Sequence, residues 1–443
     1  MTRSSPAPAI QLVTFGCRLN LVESEAMRRA AAQAGRNNLV IVNTCAVTGE
    51  ATRQARQAIR RLARENPGAE IVVTGCAAQV DPLRFAEMPE VARIIGNARK
   101  TDPETWAEPW ADPSAKGDFG GAMQAVTSPL APQEGVEDHT RAFLAVQTGC
   151  DHRCTFCVIP YGRGPSRSSK PEAILAAVRG LTDKGFREIV LTGVDLTSYR
   201  ADPGGEFRLG GLVKAILRAA PGLERLRLSS IDCIEADADL IDAFATEPRL
   251  TPHLHLSLQA GDDMILKRMK RRHSRDGAVD FCARLRRLRP DMVFGADLIA
   301  GFPTETNAMF DNTLRLVEDC GLTYLHVFPF SARPGTPAAK MPPVAGEIVK
   351  ARARRLRDAG EAALGRHHAR QIGRVLRVLT ERGGLGRAAD FTCVRTDDSP
   401  PGLLLDVAIE RDEGKALAGA ILGGGQDCAP SAPELASEAA LCP

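Results

Sequence analysis

The chain has 443 residues, 44% of them apolar and 25% charged, with a formal net charge of +3. That length exceeds one ordinary core, so two or three domains are expected, and the near-balanced charge by itself points to no partner. No apolar run of about 18 residues occurs, and the opening M-T-R-S-S-P-A-P-A-I lacks the apolar stretch of a signal peptide, so a cytoplasmic protein without a membrane span is expected.

Along the chain, the first hundred residues alternate strand and helix. Apolar runs at 10–15, 39–43 and 70–74 read as buried strands. Ser24 reads as the cap of an Ala/Arg-rich helix ending near Gly35. A second helix spans 51–65, stopped by Asn66-Pro67-Gly68, and a short one follows Asp81-Pro82. This pattern implies an N-terminal parallel α/β domain over 8–106. Sites in such sheets form at the carboxyl ends of the strands. Cys17, Cys45 and Cys76 each stand just past such an end, so they can converge. The Pro/Gly-rich segment 107–137 reads as a linker.

Alternation resumes over 138–346. Strands are expected at 142–147, 188–193, 225–231, 253–258, 293–299 and 324–329, with helices at 171–182, 210–220, 236–245, 276–288 and 307–319. Six such repeats are too few for the eight-stranded barrel and fit an open, partial (β/α)6 barrel with its site at the strands' carboxyl ends. A basic connecting helix over 347–370 leads to short apolar runs between Gly-rich turns, a small all-β domain over 371–422. The tail 423–443 reads as disordered.

The chain has twelve cysteines. A reducing compartment disfavours disulfides, so clustered cysteines point to metal or catalysis. Cys233, Cys282 and Cys320 read as buried structural thiols, and Cys393, Cys428 and Cys442 lack partners at ligand spacing. Cys150, Cys154 and Cys157 fall within eight residues, C-D-H-R-C-T-F-C, directly after the first barrel strand. Three thiolates suit an iron–sulfur cluster with one open iron. Zinc is the rival metal, but its structural sites want four ligands. The plain alternative is three residues sharing a helix face. Phe156 would shield a cluster from water, and His152 is expected to face solvent.

The run T-G-C-D-H-R-C-T-F-C-V-I-P-Y-G-R-G-P-S-R-S resembles the methylthiotransferase branch of the radical S-adenosylmethionine (SAM) enzymes. So do G-C-R-L-N at 16–20, V-N-T-C-A-V-T at 42–48, T-G-C-A-A-Q at 74–79 and G-V-D-L-T-S-Y at 193–199. The stretches 256–272, D-L-I-A-G-F-P-T-E-T at 297–306 and H-V-F-P-F-S-A-R-P-G-T-P-A at 326–338 extend the resemblance across roughly 10–340. Within the branch the chain is most similar to enzymes that act on threonylcarbamoyladenosine beside the tRNA anticodon. The resemblance implies two [4Fe–4S] clusters. Cys150, Cys154 and Cys157 would hold the one that binds SAM and cleaves it to methionine and a 5′-deoxyadenosyl radical. Cys17, Cys45 and Cys76 would hold the one that carries the sulfur, and a second SAM would supply the methyl group. It also implies an electron donor protein and a sulfur source. Candidates to hold SAM are Gly193, Ser229, Ser230, Gln259 and Asp297 on the barrel strands, together with Phe156.

Basic segments complete the reading. Six Lys/Arg fall in the nine residues 267–275, including Lys267, Lys270, Arg271 and Arg272. Arg352, Arg354, Arg355, Arg357, Arg366 and Arg370 cluster in the connecting helix, and Arg53, Arg56, Arg60, Arg61 and Arg64 recur after Cys45. Three such runs on a near-neutral chain suggest a polyanion track, here tRNA. The C-terminal domain resembles the small RNA-binding barrel (TRAM, OB-like) that accompanies the family, with Phe391 its one exposed aromatic. Other substrates in the branch are isopentenylated adenosine and a ribosomal-protein aspartate. An iron–sulfur electron carrier or redox-responsive RNA-binding protein is the alternative from another class.

Overall fold

The computed structural model describes residues 10–108, 110, 116, 123–125, 131–135, 139–202, 204–397 and 399–423. The tail beyond Gly423 and most of the expected linker lie outside the described residues. No described helix is long and apolar enough to cross a membrane.

In the N-terminal domain the strands Gln11–Thr14, Leu39–Thr44, Glu70–Gly75 and Arg93–Ile94 pair in parallel and in sequence order. Strand alternation sends Val40, Val42, Ile71 and Val73 to one face, against Ile59 and Leu62 of the helix Gly49–Glu65. Leu39, Ile41 and Val72 face Met27, Ala31 and Trp106 on the other. The first helix spans Arg18–Gln33, so it begins directly after Cys17 and not at Ser24. Ser24 serves the sheet instead: its hydroxyl accepts from Thr14 Oγ1 (2.7 Å) and Asn43 Nδ2 (3.1 Å).

Six parallel strands form the central partial barrel: Ala142–Ala145, Glu188–Thr192, the run Arg225–Leu228 and Ser230–Ile231, His253–Gln259, Val293–Ala300 and Leu322–Pro329. Two four-stranded sheets share the run from Arg225 to Ile231, which breaks at Ser229. Leu144, Ile189 and Leu191 point outward into the core shared with the surrounding helices. Phe143, Ala145 and Val190 point inward and meet Leu19 and Val22 of the first helix, so the N-terminal domain lines part of the barrel interior. Inside the expected linker, Gln133–Gly135 adds an antiparallel edge strand to the barrel sheet. Trp110 stacks under Arg36 at 4.0 Å.

Strands Val375–Glu381, Leu385–Ala388, Cys393–Arg395, Leu404–Asp412 and Leu417–Gly423 close into a small C-terminal barrel. It caps the amino ends of the central strands. Phe391 is therefore not a free surface aromatic: it stacks on His253 (4.9 Å, 20°) and meets Tyr324 edge-on at 5.9 Å. The connecting helix, Gly346–Gln371, buries Arg352, whose guanidinium pairs with Glu305 at 2.8 Å, so Arg352 is unavailable to RNA.

The N-terminal domain and the barrel are joined by a buried ion network. Arg163 donates two parallel hydrogen bonds to Glu23 (2.7 and 2.9 Å), and also reaches Asn20. Lys100 pairs with the same carboxylate at 2.7 Å. Burial alone would push the Glu23 carboxyl up, but Arg163 and Lys100 hold it down at about 2. Glu23→Gln leaves two buried cations unbalanced, and should lower the unfolding free energy by about 3–5 kcal/mol in denaturant titrations. Because the folded-state value lies below the ordinary carboxylate value, this stabilisation is complete above about pH 4.3 and fades as pH falls toward 2. The wild type should lose stability across that acid window more steeply than Glu23→Gln; parallel acid profiles would contradict the assignment.

Candidate active site

Each cysteine of the first trio follows a strand end, as the alternation requires. Gly16 (φ +94°) makes the turn into Cys17, and a Cβ there would lie 2.7 Å from Cys45 Sγ. Gly75 (φ +96°) turns the chain into the short helix Cys76–Val80, and its Cβ would strike the Thr44 backbone at 2.4 Å. Both positions therefore require glycine. Cys45 and Cys76 are buried and Cys17 is exposed. The Val47 amide approaches Cys45 Sγ at 3.5 Å, and Asn97 Nδ2 approaches Cys76 Sγ at 3.9 Å. Burial, reinforced by Cys17, pushes the Cys45 thiol up to about 12.

The second trio is on an irregular loop and not on a helix, which removes the shared-helix-face alternative. Gly149 (φ +74°) lets the loop close: Cys150 N donates to Gly164 O at 3.1 Å, and Cys157 N donates to Cys154 O at 3.1 Å. Thr155 pins the loop to the end of the helix Asp263–Met269, through Arg268 O (2.8 Å) and Met269 O (3.1 Å). Burial pushes the Cys157 thiol up to about 12, and burial with Asp195 pushes Cys150 up as well.

The two trios are neighbours. The helix Ile159–Arg163, directly after Cys157, lies against Cys76–Val80. A Cβ on Gly162 would lie 3.4 Å from that of Cys76, and Asn97 bonds Gly162 O at 2.6 Å. Among the described residues, neither full trio draws its sulfurs within 4.8 Å of one another. One zinc with its short thiolate bonds would need sulfurs roughly 3.8 Å apart. The wider spacing fits a multi-iron cluster.

Around Cys150 and Cys154 lies a charged network that the motif reading passed over. His152 does not face solvent. It pairs with Asp195 (3.0 Å) and Glu235 (3.3 Å), whose hydrogen bonds raise it to about 10. Asp195 also accepts from Ser198 (2.6 Å) and lies 3.6 Å from Cys150 Sγ. Arg271 is part-buried, donates to Asp232 and Ser257 O at 2.7 Å each, and approaches Cys154 Sγ at 3.8 Å. Its guanidinium is thus turned toward the cysteine loop, unlike those of its exposed neighbours Lys270 and Arg272. The signal for Asp195 was its place in G-V-D-L-T-S-Y; nothing local in sequence distinguishes Arg271 from its basic neighbours.

The SAM candidates are dispersed around the barrel. Gly193 follows a strand end, and a Cβ there would meet Gln147 Oε1 at 2.8 Å. Ser229 has a buried hydroxyl without a partner, Ser230 opens the next strand segment, and Gln259 closes its strand at φ +68°. Asp297 is mid-strand, accepting from His255 (2.9 Å) and His326 (3.2 Å). Phe156 packs edge-on against Phe302 at 6.4 Å. Of the RNA candidates, Lys267, Lys270, Arg272, Arg354 and Arg355 are not buried, although Arg272 pairs with Glu235 (2.6 Å) and Arg355 with Asp311 (3.2 Å).

Two cysteine trios at strand ends, one of them heading a six-stranded partial barrel, fit the class of radical SAM enzymes with a second cysteine site. The sequence matches the Radical SAM superfamily over residues 144–317 and the uncharacterized protein family UPF0004 over 9–96. It is 46% identical to the threonylcarbamoyladenosine tRNA methylthiotransferase MtaB of Rickettsia prowazekii over 87% of this chain and 91% of that one. It is 34% identical to the tRNA-2-methylthio-N(6)-dimethylallyladenosine synthase of Cereibacter sphaeroides over 95% of this chain and 100% of that one. The radical SAM methyltransferase TsrM of Kitasatospora setae, solved with cobalamin and a [4Fe–4S] cluster, shares the fold at a TM-score of 0.53 and 14% identity, covering 75% and 77% of the two chains. The chain belongs to the MtaB-like radical SAM methylthiotransferase family, whose cofactors are SAM and [4Fe–4S] clusters.

The placement of the basic residues separates two kinds of variant. Lys267→Ala with Lys270→Ala should lower the slope of log affinity for a tRNA stem–loop against log salt by about one to two. Arg271→Ala should leave that slope unchanged and impair SAM binding, read by equilibrium dialysis. The reverse pattern would place Arg271 on the RNA track.

Proposed function

We propose that this chain adds a methylthio group to C2 of N6-threonylcarbamoyladenosine beside the tRNA anticodon. Cys150, Cys154 and Cys157 hold the cluster that binds SAM, and Cys17, Cys45 and Cys76 hold the cluster that carries sulfur. When bound, these groups supply the electron, the radical, the sulfur and the methyl group. An electron donor protein and a sulfur source act from outside.

The observation that carries the substrate is the 46% identity over 87% of the chain to a relative named for threonylcarbamoyladenosine, against 34% to one named for dimethylallyladenosine. The geometry supports the division of labour. Both trios stand at carboxyl strand ends, and the Gly162–Cys76 approach keeps them adjacent. Arg271 places positive charge 3.8 Å from Cys154 Sγ. Phe156, Phe302 and Phe330 pack together and keep water from that side of the loop. Lys267, Lys270 and Arg354 offer exposed cations to phosphates. A base in an anticodon loop is already unpaired, so extruding it costs little.

Anaerobically reconstituted protein should carry about eight irons. Alanine at Cys150, Cys154 and Cys157 together should remove half of them and all 5′-deoxyadenosine formation. Alanine at Cys17, Cys45 or Cys76 should spare 5′-deoxyadenosine formation and abolish the methylthiolated nucleoside. Equal loss of both activities in folded variants would contradict two sites. Mass analysis of nucleosides from tRNA treated with the enzyme should show the methylthio group on threonylcarbamoyladenosine. Product only on dimethylallyladenosine would move the chain to the other substrate.

A further inference from the structure

The floor of the central barrel holds more positive charge than its carboxylates balance. The guanidinium carbons of Arg18, Arg141, Arg227 and Arg387 lie 5.9, 5.5, 5.2 and 4.7 Å from the centroid of one ring, Phe391. Glu188 pairs with Arg227 (2.6 Å) and Arg225 (3.6 Å), and Glu381 pairs with Arg141 (2.8 Å) and Arg387 (3.6 Å). Arg18 has neither an ion pair nor a hydrogen bond among the described residues. Nη1 of Arg141 and Nη1 of Arg227 are buried without a partner. Arginines outnumber carboxylates here, so an added anion beside Arg18 would be stabilised by the surrounding charge.

Position says which anion. Arg18 opens the helix that lines the barrel interior, is half-buried, and lies beside the inward-facing Phe143 at 5.8 Å. It is also the residue after Cys17. With neighbouring Cα atoms 3.8 Å apart and an arginine reach of about 7 Å, its guanidinium lies within about 11 Å of the Cys17 backbone. A tRNA phosphate stays on the backbone outside the barrel, whereas a base presented to the sulfur site brings its N6 substituent inside. In threonylcarbamoyladenosine that substituent ends in a carboxylate; in dimethylallyladenosine it carries no charge.

We infer that Arg18, in the positive field of the buried Arg141 and Arg227 behind it, binds the carboxylate of the threonylcarbamoyl arm and selects it over an uncharged N6 substituent. This inference rests on the substrate proposed above. A planar guanidinium matches a carboxylate through two parallel hydrogen bonds. An Arg18 left without its partner would disfavour a substrate lacking the acid.

The test compares an anticodon stem–loop bearing threonylcarbamoyladenosine with the same stem–loop carrying its methyl ester. The wild type should prefer the acid by about 10- to 100-fold in kcat/KM. Arg18→Gln should bring that ratio close to one, and Arg18→Lys should keep an intermediate ratio. Because each protein is its own reference, general damage to folding or to iron loading cancels. The wild-type ratio alone decides if Arg18→Gln proves too unstable to assay. A wild-type ratio near one, or an Arg18→Gln ratio equal to that of the wild type, would overturn the carboxylate site while leaving threonylcarbamoyladenosine as substrate. A wild type that turns over only a dimethylallyladenosine stem–loop would overturn the substrate itself, and with it this site.

Discussion

The arrangement of the active site depends on one buried ion pair, Arg163 with Glu23. Arg163 ends the short helix that follows the barrel trio, and Glu23 is on the helix that begins at Cys17. Their two parallel hydrogen bonds, with Lys100 on the same carboxylate, tie the two cysteine sites together through protein that admits little water. Buried pairs gain little over a well-packed apolar contact, but they fix register, because a shifted pairing would strand a charge. Here the register is the placement of Cys76 against Gly162.

The sites differ in their surroundings. Cys45 and Cys76 are buried, Cys76 within an apolar cluster, and the Arg163 guanidinium acts on both. The barrel loop has a set of charged groups beside it: His152 among Asp195, Glu235 and Arg272, and Arg271 between Asp232 and Cys154. These groups offer both cations and carboxylates to a zwitterionic ligand such as SAM. The C-terminal barrel closes the opposite end, where Phe391 stacks on His253 within a ring of arginines.

Much of this was legible in the sequence because it is periodic or local. The six barrel strands, the strand-end cysteines and the C-x3-C-x2-C run follow from alternation and spacing. What failed were residues whose role is set by distant partners. Ser24 resembled a helix cap, yet its partners Thr14 and Asn43 are on strands. Arg271 and Arg352 resembled members of basic runs, yet each is drawn inward by a carboxylate remote in sequence, Asp232 or Glu305. His152 and Phe391 were read as solvent-facing because their partners are remote in sequence, Asp195 in the loop after a barrel strand and His253 at the start of another. A charge run states how many cations a segment carries, but only the fold decides which of them remain free.

The central claim is that the two cysteine trios hold two iron–sulfur clusters facing each other across the Cys76–Gly162 contact. Electron paramagnetic resonance of the reduced, fully reconstituted protein tests it most directly. Two cluster signals should appear with spin relaxation faster than either shows alone, and alanine at Cys150, Cys154 and Cys157 should leave one signal relaxing slowly. Two signals that relax independently, or a single signal in the intact protein, would contradict the arrangement.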